Sequence, residues 1–363
     1  MSSFTLAEAA AVSENDLQAG VLEVFVEESP VLDRLPFMTV EGNAYAYNRE
    51  ATLPGVAFRR VNEGYPESTG TFAQETERIG ILGGDVDVDR FIIKTRSNLN
   101  AQRALQTRAK VKSMALGFQY SFVWGRQDDS SDPLAWDGIG TRLNLDPEGL
   151  GDLGAPTSQV AESAVTREAL DEEANTGRYE LFDELDDLVA RVPNLSAGNG
   201  ALYANRTTIQ RIKNVGRRIG GVEFIREDMT GKRVVMWNGI PLLDLGDGLK
   251  PAPAGSKGGD AEGERWRRRG QDEDTGAKEL LPIIPDGTIF AVRYGRDESD
   301  GAVTGLANGG MDVMDLGQLQ EKPVYRTRIE FYCGLANFAG NGVAALTGAA
   351  LPADGGDEGT PEG

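Results

Sequence analysis

Residues 47–72 read YNREATLPGVAFRRVNEGYPESTGTF, and no other stretch of the chain is as informative. Ala44 to Arg49 has strand composition. The run from Leu53 to Gly70 is polar and punctuated by glycine and proline, and Thr71 to Ile79 is extended again. The pattern predicts a long two-stranded excursion with an irregular tip. An isolated hairpin is marginal in water, and this one has no core face of its own, so it must find partners elsewhere.

On the C-terminal side of the excursion, Asp85-Val86-Asp87-Val88-Asp89 alternates strictly. It predicts a half-buried strand with acids on the wet face. An EF-hand loop also spaces aspartates this way, but it needs glycine at its sixth position, where Arg90 stands. Residues 98 to 124 make the best helix in the sequence, with Ser97 or Asn98 as its cap. Ala101, Leu105, Val111, Ala115, Phe118 and Phe122 are expected along one face. At about 1.5 Å per residue this helix runs close to 40 Å. Arg103, Arg108, Lys110 and Lys112 give it a basic cluster, read as a solvated face.

Further out, residues 4 to 28 favour helix, with Leu17, Val21, Val24 and Phe25 at helical spacing. Periodicity reads this as an ordinary amphipathic helix in preference to an arm on a neighbouring subunit. Residues 126 to 165 are loop-rich. A second helix is expected over 178 to 192, with Leu181, Phe182, Leu185, Leu188, Val189 and Val192 as its apolar stripe and Pro193 near its end. A strand at Ala201 to Ala204 leads to a third helix capped by Asn205, carrying Ile209, Ile212, Val215 and Ile219 and stopped by Gly220-Gly221. Val234 to Trp237 reads as strand and Asn238-Gly239 as a turn. Residues 246 to 279 read as a linker or exposed loop containing Arg265-Trp266-Arg267-Arg268-Arg269, expected to make local or inter-subunit salt bridges in preference to contacting nucleic acid. Residues 288 to 294 read as strand. Val324 to Tyr332 alternates, with Tyr325, Thr327, Ile329 and Phe331 on one face. The tail from Leu351 to Gly363 has the composition of disorder.

Composition removes whole classes of function. The 363 residues carry 57 acids against 37 bases, a formal charge of −20, which is a poor start for a nucleic-acid binder. Lysine occurs 9 times and arginine 28 times. No histidine is present, which excludes Ser-His-Asp and Cys-His catalysis and histidine zinc ligands. Cys333 is the single cysteine, so no intrachain disulfide forms, and it reads as a small buried hydrophobe. There is no Walker A motif, no GxGxxG after a strand and no GxSxG elbow. No catalytic residue, cofactor or metal ligand is assigned. Nothing resembles a signal peptide, and no apolar run of about 18 residues would span a membrane.

The element order is an N-terminal arm, an extended two-stranded loop, a long helix, a mixed α/β region and a final strand. It resembles the major capsid proteins of tailed bacteriophages. SPVLDRLPF (29–37) and residues 47–72 resemble the arm and E-loop of one capsid subfamily. ILGGDVDVDRFI (81–92) and TRSNLNAQRALQTRAK (95–110) resemble the returning strand and the start of the spine helix. ALYANRTTIQRI (201–212), MWNGIPLLDLGDG (236–248) and KPVYRTRIEFYCGLA (322–336) resemble A-domain segments and the closing strand.

The resemblance implies an α+β capsid fold. Its parts would be an N-arm (1–43), a β-hairpin E-loop (44–80), a P-domain (81–192) with the spine helix at about 98–124, and an A-domain (193–321) with the exposed loop 246–279. A closing P-domain strand (322–346) and a flexible tail (347–363) would complete it. It implies self-assembly into pentamers and hexamers of an icosahedral head enclosing double-stranded DNA without sequence-specific binding. The acidic surface would partly face that DNA. A separate scaffold protein, a portal protein and a possible decoration protein are the implied partners. The implied location is the virion, after assembly in the host cytoplasm. Arg49, Arg59, Arg60, Glu63, Tyr65, Glu67, Phe72 and Glu75 are the candidate inter-subunit contacts. Residues 48 to 80 contain no lysine, so the E-loop isopeptide of some family members is not expected. The alternatives are an encapsulin-type compartment with the same fold, a gene-transfer-agent capsid, and an enzyme or carbohydrate-binding α/β protein.

Overall fold

A computed structural model of the chain describes residues 3–5, 16–91, 99–127, 135–145, 156–171, 176–219, 225–227, 233–246, 249–251, 266–268 and 282–349. The first part holds β1 (Ser3–Thr5), α1 (Asp16–Glu27), β2 (Pro36–Thr39), β3 (Ala44–Thr52), β4 (Thr71–Arg78) and β5 (Gly80–Asp89). Then follow α2 (Leu99–Trp124), α3 (Ile139–Arg142), β6 (Val160–Glu162), α4 (Arg167–Asp171) and α5 (Thr176–Ala190). Next come β7 (Gly200–Ala204), α6 (Arg206–Ile219), β8 (Ile225–Glu227), β9 (Arg233–Trp237), β10 (Ile240–Asp244), β11 (Leu249–Pro251) and β12 (Trp266–Arg268). The chain closes with β13 (Ile289–Arg293), β14 (Val303–Ala307), β15 (Asp312–Gln318), β16 (Val324–Asn337) and β17 (Val343–Thr347).

Two sheets organise these elements. The first runs β1-β2-β14-β16-β15, with β5 on the other edge of β16. The 14-residue β16 is its axis. Val324 to Cys333 pairs with β5, Tyr325 to Glu330 with β15, and Cys333 to Asn337 with β14. As the alternation predicts, Thr327, Ile329, Phe331 and Cys333 all point into the core. Burial pushes the Cys333 thiol well above its usual pKa. Phe25, Phe37, Phe118 and Phe331 interlock there, with Phe37 and Phe331 centroids 5.6 Å apart. Fully burying each ring contributes roughly 1.5–3 kcal/mol. Gly305 belongs to this packing, because a Cβ there would stand 2.6 Å from the Phe37 ring.

The second sheet runs β6-β17-β13-β7-β10-β9-β8, with β7 and β10 parallel and α6 in the crossover between them. Its central strands are buried on both faces. Ala201, Tyr203, Phe290, Val292, Val343 and Ala345 pack toward the C-terminal end of α2. Leu202, Ala204, Ile289, Ala291, Ala344 and Leu346 pack under α5 and α6. Asn205 caps α6 as expected, its Oδ1 accepting from the Thr208 N–H at 2.8 Å. Asn238 and Gly239, at φ 48° and 81°, make the β9–β10 turn.

Several expectations are corrected. Helix was expected from residue 4, but Ser3–Thr5 is a strand paired with β2, because backbone pairing on a sheet edge outranks local propensity. The helix over Asp16–Glu27 buries Phe25 in the chain's own core, as an ordinary amphipathic helix does. Leu105 was placed on the apolar face of α2, but it is 62% exposed. The step from Leu105 to Val111 is six residues, which turns the side chain off the stripe of Val111, Met114, Ala115, Phe118 and Phe122. The loop-rich stretch 126 to 165 contains α3 and β6, held by buried Trp136, Ile139 and Leu143. Within the expected loop 246–279, Leu249–Pro251 and Trp266–Arg268 pair as antiparallel strands.

The sheets also cut across the segment bounds. Residues 303–318 join β16 in the first sheet, and β17 leaves β16 for the second. The tail expected from 347 begins ordered, with the Ala349 N–H bonded to Gly287 O at 2.9 Å. The caps Ser97 and Asn98, the Gly220-Gly221 stop, Arg265, Arg269 and residues 350–363 lie outside the described residues.

Candidate assembly site

β3 and β4 form a two-stranded sheet of their own, in register from Ala44↔Arg78 to Thr52↔Thr71. At about 3.4 Å per residue the nine residues of β3 carry the hairpin roughly 30 Å. Its root is locked to the body. Tyr47 stands edge-on to Phe338 with centroids 4.9 Å apart, in a cluster with Met38, Val40, Leu306 and Ala336. Arg142 on α3 donates to both carboxylate oxygens of Glu77 at 2.7 Å and to Leu335 O at 3.0 Å. The Tyr47 hydroxyl donates to Asn337 O at 3.0 Å and lies 3.3 Å from Glu77 Oε1. Arg49 Nη2 reaches the same Asn337 carbonyl at 2.7 Å. Burial, followed by the Glu77 charge, pushes the Tyr47 phenol up to about 12. Burial works against the Arg142 cation, but hydrogen bonds and charge from Glu77 outweigh it and raise its pKa. One network thus ties β3, β4, α3 and β16 together.

The tip is the opposite. Leu53 to Gly70 has no helix or strand, and Val56, Phe58 and Val61 are 98%, 108% and 87% exposed. Leu53, Tyr65 and Phe72 are also mostly in solvent. Polar contacts there stay local. The Arg59 guanidinium lies 5.2 Å from the Tyr65 ring centroid, the Arg60 N–H donates to Glu63 Oε2 at 3.2 Å, and Ser68 donates to Gly55 O at 3.1 Å.

The eight expected contact residues therefore divide. Arg49 and Glu75, 3.9 Å apart, pair within the hairpin, and Arg49 also serves the root. Arg59, Arg60, Glu63 and Tyr65 pair with one another. Glu67 and Phe72 are exposed. The residues the sequence reading passed over are Leu53, Val56, Phe58 and Val61. Their signal was apolar side chains in a loop with no core face to take them.

The body offers a surface of matching character. A cleft of about 450 Å³ opens between α1, α2 and the β15–β16 pair, walled by Val21, Val24, Ala104, Thr107 and Val111. Arg103 closes one end, 2.6 Å from Asp315 and donating to Thr327 Oγ1 at 2.9 Å. The Arg103 hydrogen bond holds the Asp315 carboxyl below the usual carboxylate range. Exposed Leu105 stands on the same helix. On the other face of the first sheet, Arg326 chelates Asp87 at 2.6 Å, and Arg328 chelates Asp85 at 2.8 and 3.1 Å. Two of the three acids of the alternating strand are therefore engaged by arginines, while Asp89 accepts from the Phe91 N–H at 2.6 Å. Among the described residues no group of His, Cys, Asp or Glu is arranged to hold a metal ion, and no helix is long and apolar enough to cross a membrane.

Residues 13–153, less than half of the chain, match the family model "Major capsid protein GP7". No curated protein matches the chain in sequence. Among solved structures, the holo-SrpI encapsulin complex of Synechococcus elongatus aligns with TM-score 0.54 at 16% identity, over 88% of this chain and 87% of that one. The capsid of a native GTA particle aligns at 0.53 and 13% identity, over 89% and 91%. A structure from Mycobacterium phage Bobi aligns at 0.50 and 13% identity, over 88% and 90%. The chain thus has the α+β capsid fold that tailed-phage major capsid proteins share with encapsulins, and its N-terminal 13–153 region is similar to the Major capsid protein GP7 family.

Proposed function

We propose that this chain is a phage major capsid protein whose copies assemble as pentamers and hexamers into an icosahedral shell around packaged double-stranded DNA. The observation that carries the reading is a hairpin fixed rigidly at its root with an apolar, solvent-exposed tip. Exposed Val56, Phe58 and Val61 are unfavourable in a free monomer and favourable against another subunit. In this reading the hairpin is the E-loop, and its tip lies on a neighbour's cleft between α1 and α2. The first sheet with α2 is the P-domain, the second sheet with α5 and α6 is the A-domain, and the segment before β3 is the N-arm. Stability comes from burial and arginine–carboxylate pairs. A separate scaffold, a portal and a decoration protein complete the assembly in the host cytoplasm.

The test is negative-stain electron microscopy of the full chain, alone and with its candidate scaffold. Closed shells, tubes or capsomer rings are the expected result, and monomers under both conditions would overturn it. The fold is equally that of encapsulins, so shell contents distinguish the two. DNA-filled heads support the capsid, and small DNA-free shells holding protein cargo support a compartment.

A further inference from the structure

α5 and α6 lie on one face of the second sheet and share its core. Several of their polar groups are used within the fold. Asp186 accepts from Trp237 Nε1 at 2.9 Å and Asn238 Nδ2 at 2.7 Å, and Glu184 accepts from the Ala164 N–H at 3.0 Å. Arg211 reaches Asp286 at 3.5 Å.

A second set of charged groups on these helices makes no ion pair with a described residue. Glu180, Asp183 and Asp187 stand at i, i+3 and i+7 on α5, all exposed, and none makes a side-chain ion pair with a described residue. Arg206, Lys213 and Arg217 stand at i, i+7 and i+11 on α6, likewise without an ion pair to a described residue. Each stripe contains a like-charged i, i+4 pair, Asp183/Asp187 and Lys213/Arg217, which weakens its own helix. The members of each pair are separated by one turn, roughly 6 Å along the axis, so the two stripes match in spacing. Tyr179, 54% exposed one turn before Asp183, adds an aromatic face that suits an arginine.

We propose that the basic stripe of α6 docks on the acidic stripe of α5 of the next copy of this chain, with Lys213 and Arg217 opposite Asp183 and Asp187. The contact joins two different surfaces, so it is heterologous and repeats from copy to copy, as a ring of subunits in the proposed shell requires. Each copy would relieve the like-charge repulsion of its neighbour. A nucleic-acid partner for α6 is disfavoured by the formal charge of −20 and by the acidic stripe on the same face of the sheet. The inference rests on the shell reading and names one contact within it.

Charge exchange tests it in the full chain, read by sedimentation velocity. Lys213→Glu with Arg217→Glu should lower the assembled fraction roughly tenfold or more, and so should Asp183→Lys with Asp187→Lys. Combining all four should restore assembly. Thermal unfolding of each variant checks that the surface changes leave the fold intact. Lys213→Gln with Arg217→Gln is the milder variant, and it should also reduce the salt sensitivity of assembly. Wild-type assembly matched by either double reversal overturns the contact alone, as does a quadruple variant as defective as its parents. Loss of binding to a short DNA duplex with assembly unchanged would also overturn it, in favour of nucleic acid. A wild-type chain that forms no oligomer with or without scaffold removes the shell reading and this contact with it.

Discussion

The root and the tip of the β3–β4 hairpin are built from opposite materials. At the root, charged and phenolic groups are buried and engaged, with Glu77 held by two Arg142 nitrogens and the Tyr47 hydroxyl donating to Asn337 O. At the tip, apolar side chains stand in solvent and the charged ones pair loosely among themselves. A chain that folded only for itself would arrange these the other way round. In the proposed shell the root is the part that belongs to the monomer, and the tip is the part that belongs to a partner. Changes at the root should therefore act on unfolding, and changes at the tip on association.

The largest effect should come from Glu77→Ala. It leaves the Arg142 cation buried without its counter-charge, and removing one member of such a pair costs about 3–5 kcal/mol. Denaturant unfolding should report that loss, whereas a change under about 1 kcal/mol would mean that the root does not hold the hairpin. Val56→Ser with Phe58→Ser comes next and should behave in the opposite sense. Its unfolding free energy should stay within about 0.5 kcal/mol of wild type, since nothing in the monomer covers these side chains. The concentration needed for assembly should rise roughly tenfold or more, the equivalent of one buried ring. Equal effects on unfolding and assembly would erase the distinction between root and tip. Tyr47→Phe is the smaller root change. It removes the donation to Asn337 O at 3.0 Å while keeping the ring on Phe338, and should cost about 1–2 kcal/mol.

The contrast also marks what the sequence could and could not announce. The hairpin, the long helix, the alternating closing strand and the Asn205 cap are local patterns, and a period or a cap residue revealed each of them. The root network is not local. Glu77 and Arg142 are 65 positions apart, and no spacing joins them before the chain has folded. α3 was missed for a related reason, since its four residues are held by buried Trp136 and Ile139 and not by helical periodicity. At the tip the difficulty was one of emphasis. Polar and aromatic residues looked like contacts, yet most of them pair within the loop, and the apolar ones between them are left exposed. A loop has no period against which an apolar residue stands out of place. The split of the 303–318 strands from the second sheet was likewise invisible, because strand composition does not specify a partner.

The ladder on the outer face of β5 and β16 tests how far the root's strength depends on burial. Arg328 holds Asp85 in the same two-bond geometry with which Arg142 holds Glu77, but the Asp85 side chain is 27% exposed and the Arg328 side chain 38% exposed. The hydrogen bond from Arg328, against a smaller opposing desolvation, keeps the Asp85 carboxyl below its ordinary value. A depressed carboxyl stabilises the fold above its unfolded pKa of about 3.9, and the contribution is lost as pH falls through the lower, folded value. Asp85→Asn should therefore cost stability at neutral pH and converge on wild type in acid. Solvent screening limits the neutral-pH cost to about 1 kcal/mol or less, well under that of Glu77→Ala. Unfolding curves of the two proteins at neutral and acid pH provide the comparison. A cost at neutral pH as large as that at Glu77 would show that geometry, and not burial, sets the strength of these arginine–carboxylate pairs.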